Sequence, residues 1–343
     1  MKITVIGASG YSGGELLRLI DGHPELSLHK AIAHSNAGEP ISLIHPQLFA
    51  THRATFEGFA EEHVASADLI FLALPHGESG KLIQEHEKSF AGKKIVDLGA
   101  DFRLNSTAAW ERYYGGKHYG SWAYGLPELP GARKLISSAN RVANPGCYAT
   151  AISVAIAPFV ALATKVNFAD IVVTAASGTT GAGRSAKVNL IGSEVMNSLS
   201  AYKVGGVHQH TPEIEQALAG IAHQEIALSF TPFLAPLPRG ILASISIPIE
   251  NSSLLEIRDT FRAHYEHEKF IHLLPEGAWP QTNSLIGSNA VAIQVAFDEH
   301  IGRAIIVSAI DNLGKGAAGQ ALQNANVMLG FDEAAGLSTV GVR

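Results

Sequence analysis

A single cysteine, Cys147, stands among 343 residues. That excludes an intramolecular disulfide framework and suits a reducing compartment. Charge is scarce as well: only 16% of residues are Asp, Glu, Lys or Arg, and their sum is −6 at pH 7. No run of Lys or Arg forms a basic patch, so neither nucleic acid nor an anionic membrane is an expected partner. No apolar run reaches the roughly 18 residues of a membrane span. The most apolar stretch, 149–163, is shorter and is broken by Pro158. The chain enters a strand-like run, Lys2 to Ile6, without the charged-then-apolar layout of a signal peptide, so a cytoplasmic location is expected. No CxxC, HExxH or comparable spacing occurs, and no metal is expected.

Apolar residues, in contrast, make up 46% of the chain, enough for two cores at roughly 100–200 residues per domain. The first third alternates short apolar runs (3–6, 28–33, 68–74, 94–98) with helical patterns, the first opening at 14–20. That alternation marks a parallel sheet with crossover helices. Beyond Asn-Pro-Gly at 144–146, a long apolar helix is expected over 148–162. The second half is richer in strand-like runs (171–176, 226–230, 242–249, 290–297, 304–310), some of them alternating. It predicts a mixed, largely antiparallel sheet with a few helices on one face. The stretch 315–329 is Ala/Gln/Asn-rich, reads as helix, and is expected to fold back onto the first domain.

Three stretches carry chemistry. The first, Gly7-Ala-Ser9-Gly10-Tyr11-Ser12-Gly13, follows a strand and runs into a helix. Glycines permit a tight turn and close backbone approach, and the helix start offers N–H groups to a pyrophosphate. GxxGxxG is a weak signal alone; its place at residue 7 of a repeating β/α pattern favours a dinucleotide over a plain turn. The next strand ends Ala33-His34-Ser35-Asn36, without the carboxylate that usually binds the ribose of NAD. NADP is therefore the expected cofactor.

The second stretch is Asn144-Pro-Gly-Cys147-Tyr148. A cysteine opening a helix meets the positive end of the dipole and N–H groups that stabilise a thiolate or an oxyanion. A lone cysteine is nonetheless more often a small buried hydrophobe, and at this point both readings stand. The third stretch, His208-Gln-His210-Thr211-Pro212-Glu213, predicts a helix with Thr211 as N-cap and Pro212 at its first helical position. His210 then sits at or just before a helix start, where the dipole favours a neutral ring able to act as base or donor. With sixteen histidines in the chain, a solvated His at a helix start is the competing reading. The loop Ser177-Gly178-Thr-Thr-Gly-Ala-Gly-Arg184, together with Arg103 and Arg239, supplies candidate anion contacts. Arg103 reads equally as an ion pair with Asp101, and Arg239 as a turn residue.

Taken in order, these motifs resemble the N-acetyl-gamma-glutamyl-phosphate reductase family. The resemblance runs nearly end to end, through GASGYSGGE (7–15), HPQL (45–48), DLGADFRL (97–104), YGLPE (124–128), NPGCY (144–148), SGTTGAGR (177–184), HQHTPEI (208–214), PRGIL (238–242) and DNLGKGAA (311–318). It implies kinship with aspartate-semialdehyde and glyceraldehyde-phosphate dehydrogenases. The implied fold is a Rossmann NADP-binding domain over 1–146, completed by a C-terminal helical segment at 314–343, plus an α+β substrate domain over 147–313.

The implied reaction is NADPH-dependent reduction of N-acetyl-gamma-glutamyl phosphate to the semialdehyde and phosphate in arginine biosynthesis, through a thioester on Cys147. His210 would be base and proton donor, with His208 beside it. Gly7, Ser9, Gly10, Tyr11, Ser12, Gly13, Ser35 and Gly178 would touch NADP(H). Arg103, Asn144, Ser177, Arg184 and Arg239 would contact substrate or phosphate. A homodimer or homotetramer is implied.

Two departures stand out. Gln209 replaces a frequent arginine of the family, and Phe233 replaces a frequent histidine, which turns attention to His208 and His210. A sibling reductase acting on aminoadipyl phosphate, one methylene longer, remains an alternative because a methylene changes binding by only about 1–3 kcal/mol. A non-catalytic NADP-binding sensor is a second alternative.

Overall fold

Six parallel strands form the first sheet: β1 (Lys2–Ile6), β2 (Ser27–Ile32), β3 (Leu69–Leu72), β4 (Lys94–Asp97), β5 (Ala123–Tyr124) and β6 (Arg141–Ala143), in the order β2-β1-β3-β4-β6-β5. The computed structural model describes residues 1–50 and 54–342. It divides into two units: Met1–Pro127 with Gly131–Pro145 and Ala317–Leu337, and Glu128–Pro130 with Gly146–Gly316 and Ser338–Arg343.

The central strands of the first unit are buried on both faces, as continuous runs such as Leu69–Leu72 require of a parallel sheet. Ile6, Ile70, Leu72, Ile95 and Phe102 share one core cluster. The two short strands β5 and β6 were not expected, because two or three residues leave no periodic trace. Helix Gly319–Leu329 belongs to this unit, where Asn324 Nδ2 donates to Gly125 O at 2.8 Å and Asn326 Oδ1 meets His23 Nε2 at 2.9 Å. The helical segment expected over 314–343 ends at Leu329. Gly330, at φ 72°, caps it in the left-handed region, where glycine carries no Cβ penalty.

The second unit holds seven strands: β7 (Ile171–Ser177), β8 (Ser200–Ala201), β9 (Leu228–Leu234), β10 (Ile241–Pro248), β11 (Ile271–Leu273), β12 (Val291–Asp298) and β13 (Arg303–Ile310). Their order is β11-β12-β13-β10-β7-β9-β8, with only β11/β12 and β7/β9 parallel. In β7 and β10 buried and exposed residues alternate, so Val173 and Ile245 face the core while Val172, Leu242 and Ser244 face outward. Helix Cys147–Ile156, buried along nearly all its length, packs against β10 and β13. The helix expected over 148–162 gives way to a 3-10 segment at Ala157–Leu162. Pro158 has no N–H to continue an α-helix.

Candidate functional site

In the first unit, β1 runs into a turn that only glycines can form. Gly7 sits at φ +86°, and a Cβ there would lie 2.3 Å from Ala73 O. A Cβ on Gly13 would fall 2.5 Å from Gly7 O. Gly7 N and Ala8 N both donate to Ile32 O at 2.9 Å, tying the turn to the end of β2. Helix Tyr11–Asp21 starts at Gly10, and no side chain caps it. Its first N–H groups, around Tyr11, Ser12 and Gly13, thus form a helix N-terminus suited to a pyrophosphate.

His45, from the HPQL stretch, holds the turn from behind through Nε2 and Ala8 O at 2.9 Å; a Cβ on Gly14 would strike its ring. Ser9 is half-buried in the turn. Ser35 is exposed beyond β2, its Oγ donating to Asn36 Oδ1 at 3.2 Å. With His34, Ser35 and Asn36 there, no carboxylate ends that strand to repel a 2′-phosphate.

Arg103 and Asn144 lie in the same unit and face main chain. Arg103 is buried; its Nε donates to Asn144 O and its Nη2 to Leu98 O, both at 2.7 Å. Asn144 donates through its N–H to Asp97 O at 2.8 Å and accepts at Oδ1 from Asn324 Nδ2 at 2.9 Å. Asp101 accepts the Gly77 and Gly80 N–H groups at 2.8 Å each, and the Arg103 charge acts on its carboxyl as well. Asp97 is fully buried. Burial first, and then the Asp101 charge, push its carboxyl up to about 7, while Ser79 and Gly99 donate to Oδ1.

In the second unit, Cys147 is the first residue of its helix, with Gly146 as an N-cap that brings no side chain. The stretch 208–213 meets Gly146 twice. Glu213, fully buried, accepts the Gly146 N–H at 2.8 Å, and a Cβ on Gly146 would stand 2.3 Å from His210 Nε2. His210 and Glu213 sit one turn apart in helix His210–Ala222, so one element brings both to the residue before Cys147.

Thr211 is not the N-cap the sequence predicted. Gln209 is already helical at φ −59° and ψ −26°, and the Thr211 N–H donates to His208 O at 3.0 Å. That bond starts the helix before Thr211 can cap it, and makes His210 its first residue and Pro212 its third rather than its first. His208 is buried against Tyr148, Tyr202 and Phe230, with ring centroids 5.5, 5.7 and 5.0 Å away. Its Nδ1 accepts the His210 N–H at 3.1 Å. Burial, reinforced by His210 and Lys203, drives its pKa down to about 2. Tyr202 donates to Tyr148 Oη at 3.2 Å, and Tyr148 donates to Phe233 O at 3.2 Å. Burial raises both phenols, so they remain donors.

Ser177 and Gly178 end β7 against residues 237–240. Gly178 N donates to Gly240 O at 2.8 Å, and a Cβ on Gly178 would come within 2.9 Å of Arg239 N. Arg239 is paired with buried Asp311 at 2.7 and 3.0 Å. Asp311 also accepts from Gly287 N at 2.6 Å and Leu313 N at 2.9 Å, so the guanidinium is fixed in place. Arg184 is exposed on the loop that follows β7.

The structure thus brings His208 and His210 against Gly146 and Tyr148, the residues flanking Cys147, and gathers Ser177, Gly178 and Arg239 elsewhere in the unit. Arg103 and Asn144 belong with the dinucleotide turn's unit. Glu213 as a clamp on Gly146, and Asp311 as the partner of Arg239, escaped the sequence reading. Both lay inside stretches already singled out, but their partners are 67 and 72 residues away.

The semialdehyde dehydrogenase NAD binding domain matches residues 2–138, and the semialdehyde dehydrogenase dimerisation domain matches 147–312. An N-acetyl-gamma-glutamyl-phosphate reductase of Acidothermus cellulolyticus is 54% identical over 99% of this chain and 98% of its own length. One from Salinispora tropica is 52% identical over 100% and 99%. Among solved structures, an aspartate semialdehyde dehydrogenase of Candida albicans with NADP superposes with a TM-score of 0.69 at 16% identity, covering 96% of this chain and 98% of that one. Aspartate semialdehyde dehydrogenase II of Vibrio cholerae gives 0.72 at 16% identity with the same coverage. The chain belongs to the N-acetyl-gamma-glutamyl-phosphate reductase family of the semialdehyde dehydrogenases.

Proposed function

We propose that this chain reduces N-acetyl-gamma-glutamyl phosphate to N-acetylglutamate semialdehyde and phosphate, with Cys147 as the covalent nucleophile. The observation that carries the mechanism is Cys147 at the first position of a helix whose N-cap, Gly146, is held by Glu213 and overlaid by His210. A helix start stabilises the thiolate, and its N–H groups stabilise the oxyanion that forms when sulfur attacks the acyl carbon.

The thiolate adds to the acyl carbon, the C–O bond to phosphate breaks, and a thioester remains on Cys147. The Gly7–Gly13 turn would hold NADP(H), which would supply the hydride needed to take the thioester to the aldehyde level. The tetrahedral adduct then collapses, its C–S bond breaks, and the aldehyde leaves with the thiolate regenerated. His210 takes the thiol proton at the outset and steadies charge on the substrate oxygen, while His208 stays neutral and holds the His210 backbone. Arg239, fixed by Asp311, and the Ser177–Gly178 turn are assigned to the anionic groups of the substrate, with Arg184 at the loop's rim. Arg103 and Asn144 support the strand end that leads to Pro145.

The proposal includes a homodimer formed through the outward face of β7 and β10, which leaves Val172 43% and Leu242 38% exposed. A cytoplasmic location keeps the lone cysteine reduced. No helix among the described residues is long and apolar enough to cross a membrane.

The reverse reaction tests the assignment. Phosphate-dependent reduction of NADP is expected with N-acetylglutamate semialdehyde and at a lower kcat/KM with the aminoadipate homologue. A preference for the longer aldehyde contradicts it.

A further inference from the structure

The reaction scheme leaves unused a stretch of chain lying directly against Cys147. A Cβ on Gly316 would stand 2.9 Å from the Cys147 Cβ and 3.2 Å from Ile310 Cδ1, so a side chain there would displace the cysteine. The Gly316 N–H donates to Asp311 O at 2.9 Å. Gly314 is pressed equally hard from another side, where a Cβ would meet Ser288 O at 2.1 Å. Both glycines lie in one π-helical turn, Gly314–Ala318, a rare geometry that recurs at functional sites.

Between them, Lys315 points into the interior. Its Nζ bonds Glu128 Oε1 at 2.5 Å, and neither side chain is exposed at all. The same Nζ stands 5.4 Å from the ring centroid of Phe270. Burial, with the charges of Glu128 and Glu268, keeps Tyr265 protonated, and its hydroxyl donates to Val154 O in the Cys147–Ile156 helix. A buried ion pair is weak ground for stability, because desolvating two charges offsets their attraction; fixing register is its best-attested use.

We propose that the Glu128–Lys315 pair is a positioning device for the nucleophile: it holds the π turn in the register that keeps Gly316 against Cys147 and so fixes where the sulfur points. Both residues act through the turn, as positioning groups. The inference rests on the reading of Cys147 as nucleophile, and the test keeps the two apart.

The test uses the double variant Glu128→Gln/Lys315→Met, which removes both charges together and leaves none buried alone. Thermal unfolding reports its fold, steady-state kinetics its kcat and KM, and iodoacetamide alkylation across pH its only thiol. The double variant is expected to unfold cooperatively and to keep the parental KM. Its kcat should fall by about ten- to a hundredfold, as small misplacements of reacting groups produce, and its alkylation profile should shift. A folded double variant with parental kcat and alkylation profile overturns the proposal. Should the double variant not fold, Glu128→Asp, which keeps both charges but shortens the arm by one methylene, takes its place. The same kcat loss and shifted profile then support the proposal, and parental values overturn it. Cys147→Ser is assayed alongside: retained activity there sinks the nucleophile reading alone, since alkylation of the parental thiol still registers the pair's hold on it.

Discussion

His208 and His210 are two residues apart but meet different surroundings. Aromatic rings close around His208, its Nδ1 already accepts a backbone N–H, and burial holds its pKa near 2. Such a ring is neutral at any working pH and has no titration near neutrality to offer. A group that moves protons in catalysis works best when it titrates close to the operating pH. His210, at the helix start and over Gly146, is the residue we propose as acid and base. His210→Asn is expected to lower kcat by about a hundredfold or more near neutral pH. His208→Asn should lower kcat less. A larger loss in the His208 variant, read from the two pH–rate profiles, reverses the roles.

Local elements explain which features the sequence disclosed. Strands β1 to β4 were legible because a sheet buried on both faces demands uninterrupted apolar runs, whereas β5 and β6 are too short to leave a pattern. The dinucleotide turn was legible because its glycines answer to backbone geometry within a few residues. The start of helix His210–Ala222 was misplaced because the bond from Thr211 N to His208 O outweighs the capping preference of a threonine side chain. The partners of Glu213, Asp311 and Lys315 were not legible at all, since each lies 67 to 187 residues away in the chain.

The turn also makes a prediction of its own. In Gly13→Ala the new methyl would lie 2.5 Å from Gly7 O, against rigid backbone, and push the helix start away from the pyrophosphate. Fluorescence titration should show NADPH binding weakened by about tenfold or more, on the order of the 1.4 kcal/mol that a tenfold change represents. Cys147 alkylation should remain at the parental rate. Parental affinity for NADPH would mean that the cofactor does not use this turn.

For the whole molecule, the proposed assembly turns on the second sheet. One face of β7 and β10 is buried by the unit's own core, and the other presents Val172 and Leu242 beside Thr174 and Ser244. Leu242→Glu places a charge on that face and should convert a dimer to single chains in light scattering, with secondary structure unchanged by circular dichroism. An unaltered mass removes this face from the interface. The domain match at 147–312 carries the word dimerisation in its name, and the alternation along β7 and β10 was visible in sequence. Which face lay outward required the structure.

The central claim is the thioester on Cys147, and intact-mass spectrometry tests it most directly. The enzyme is mixed with N-acetylglutamate semialdehyde and NADP⁺ in phosphate-free buffer, so that oxidation proceeds but phosphorolysis cannot, and is then quenched in acid. The account predicts one N-acetylglutamyl group added per chain, localised to Cys147, released by inorganic phosphate and absent from Cys147→Ser. An unmodified chain during turnover, or an adduct on any other residue, would contradict it.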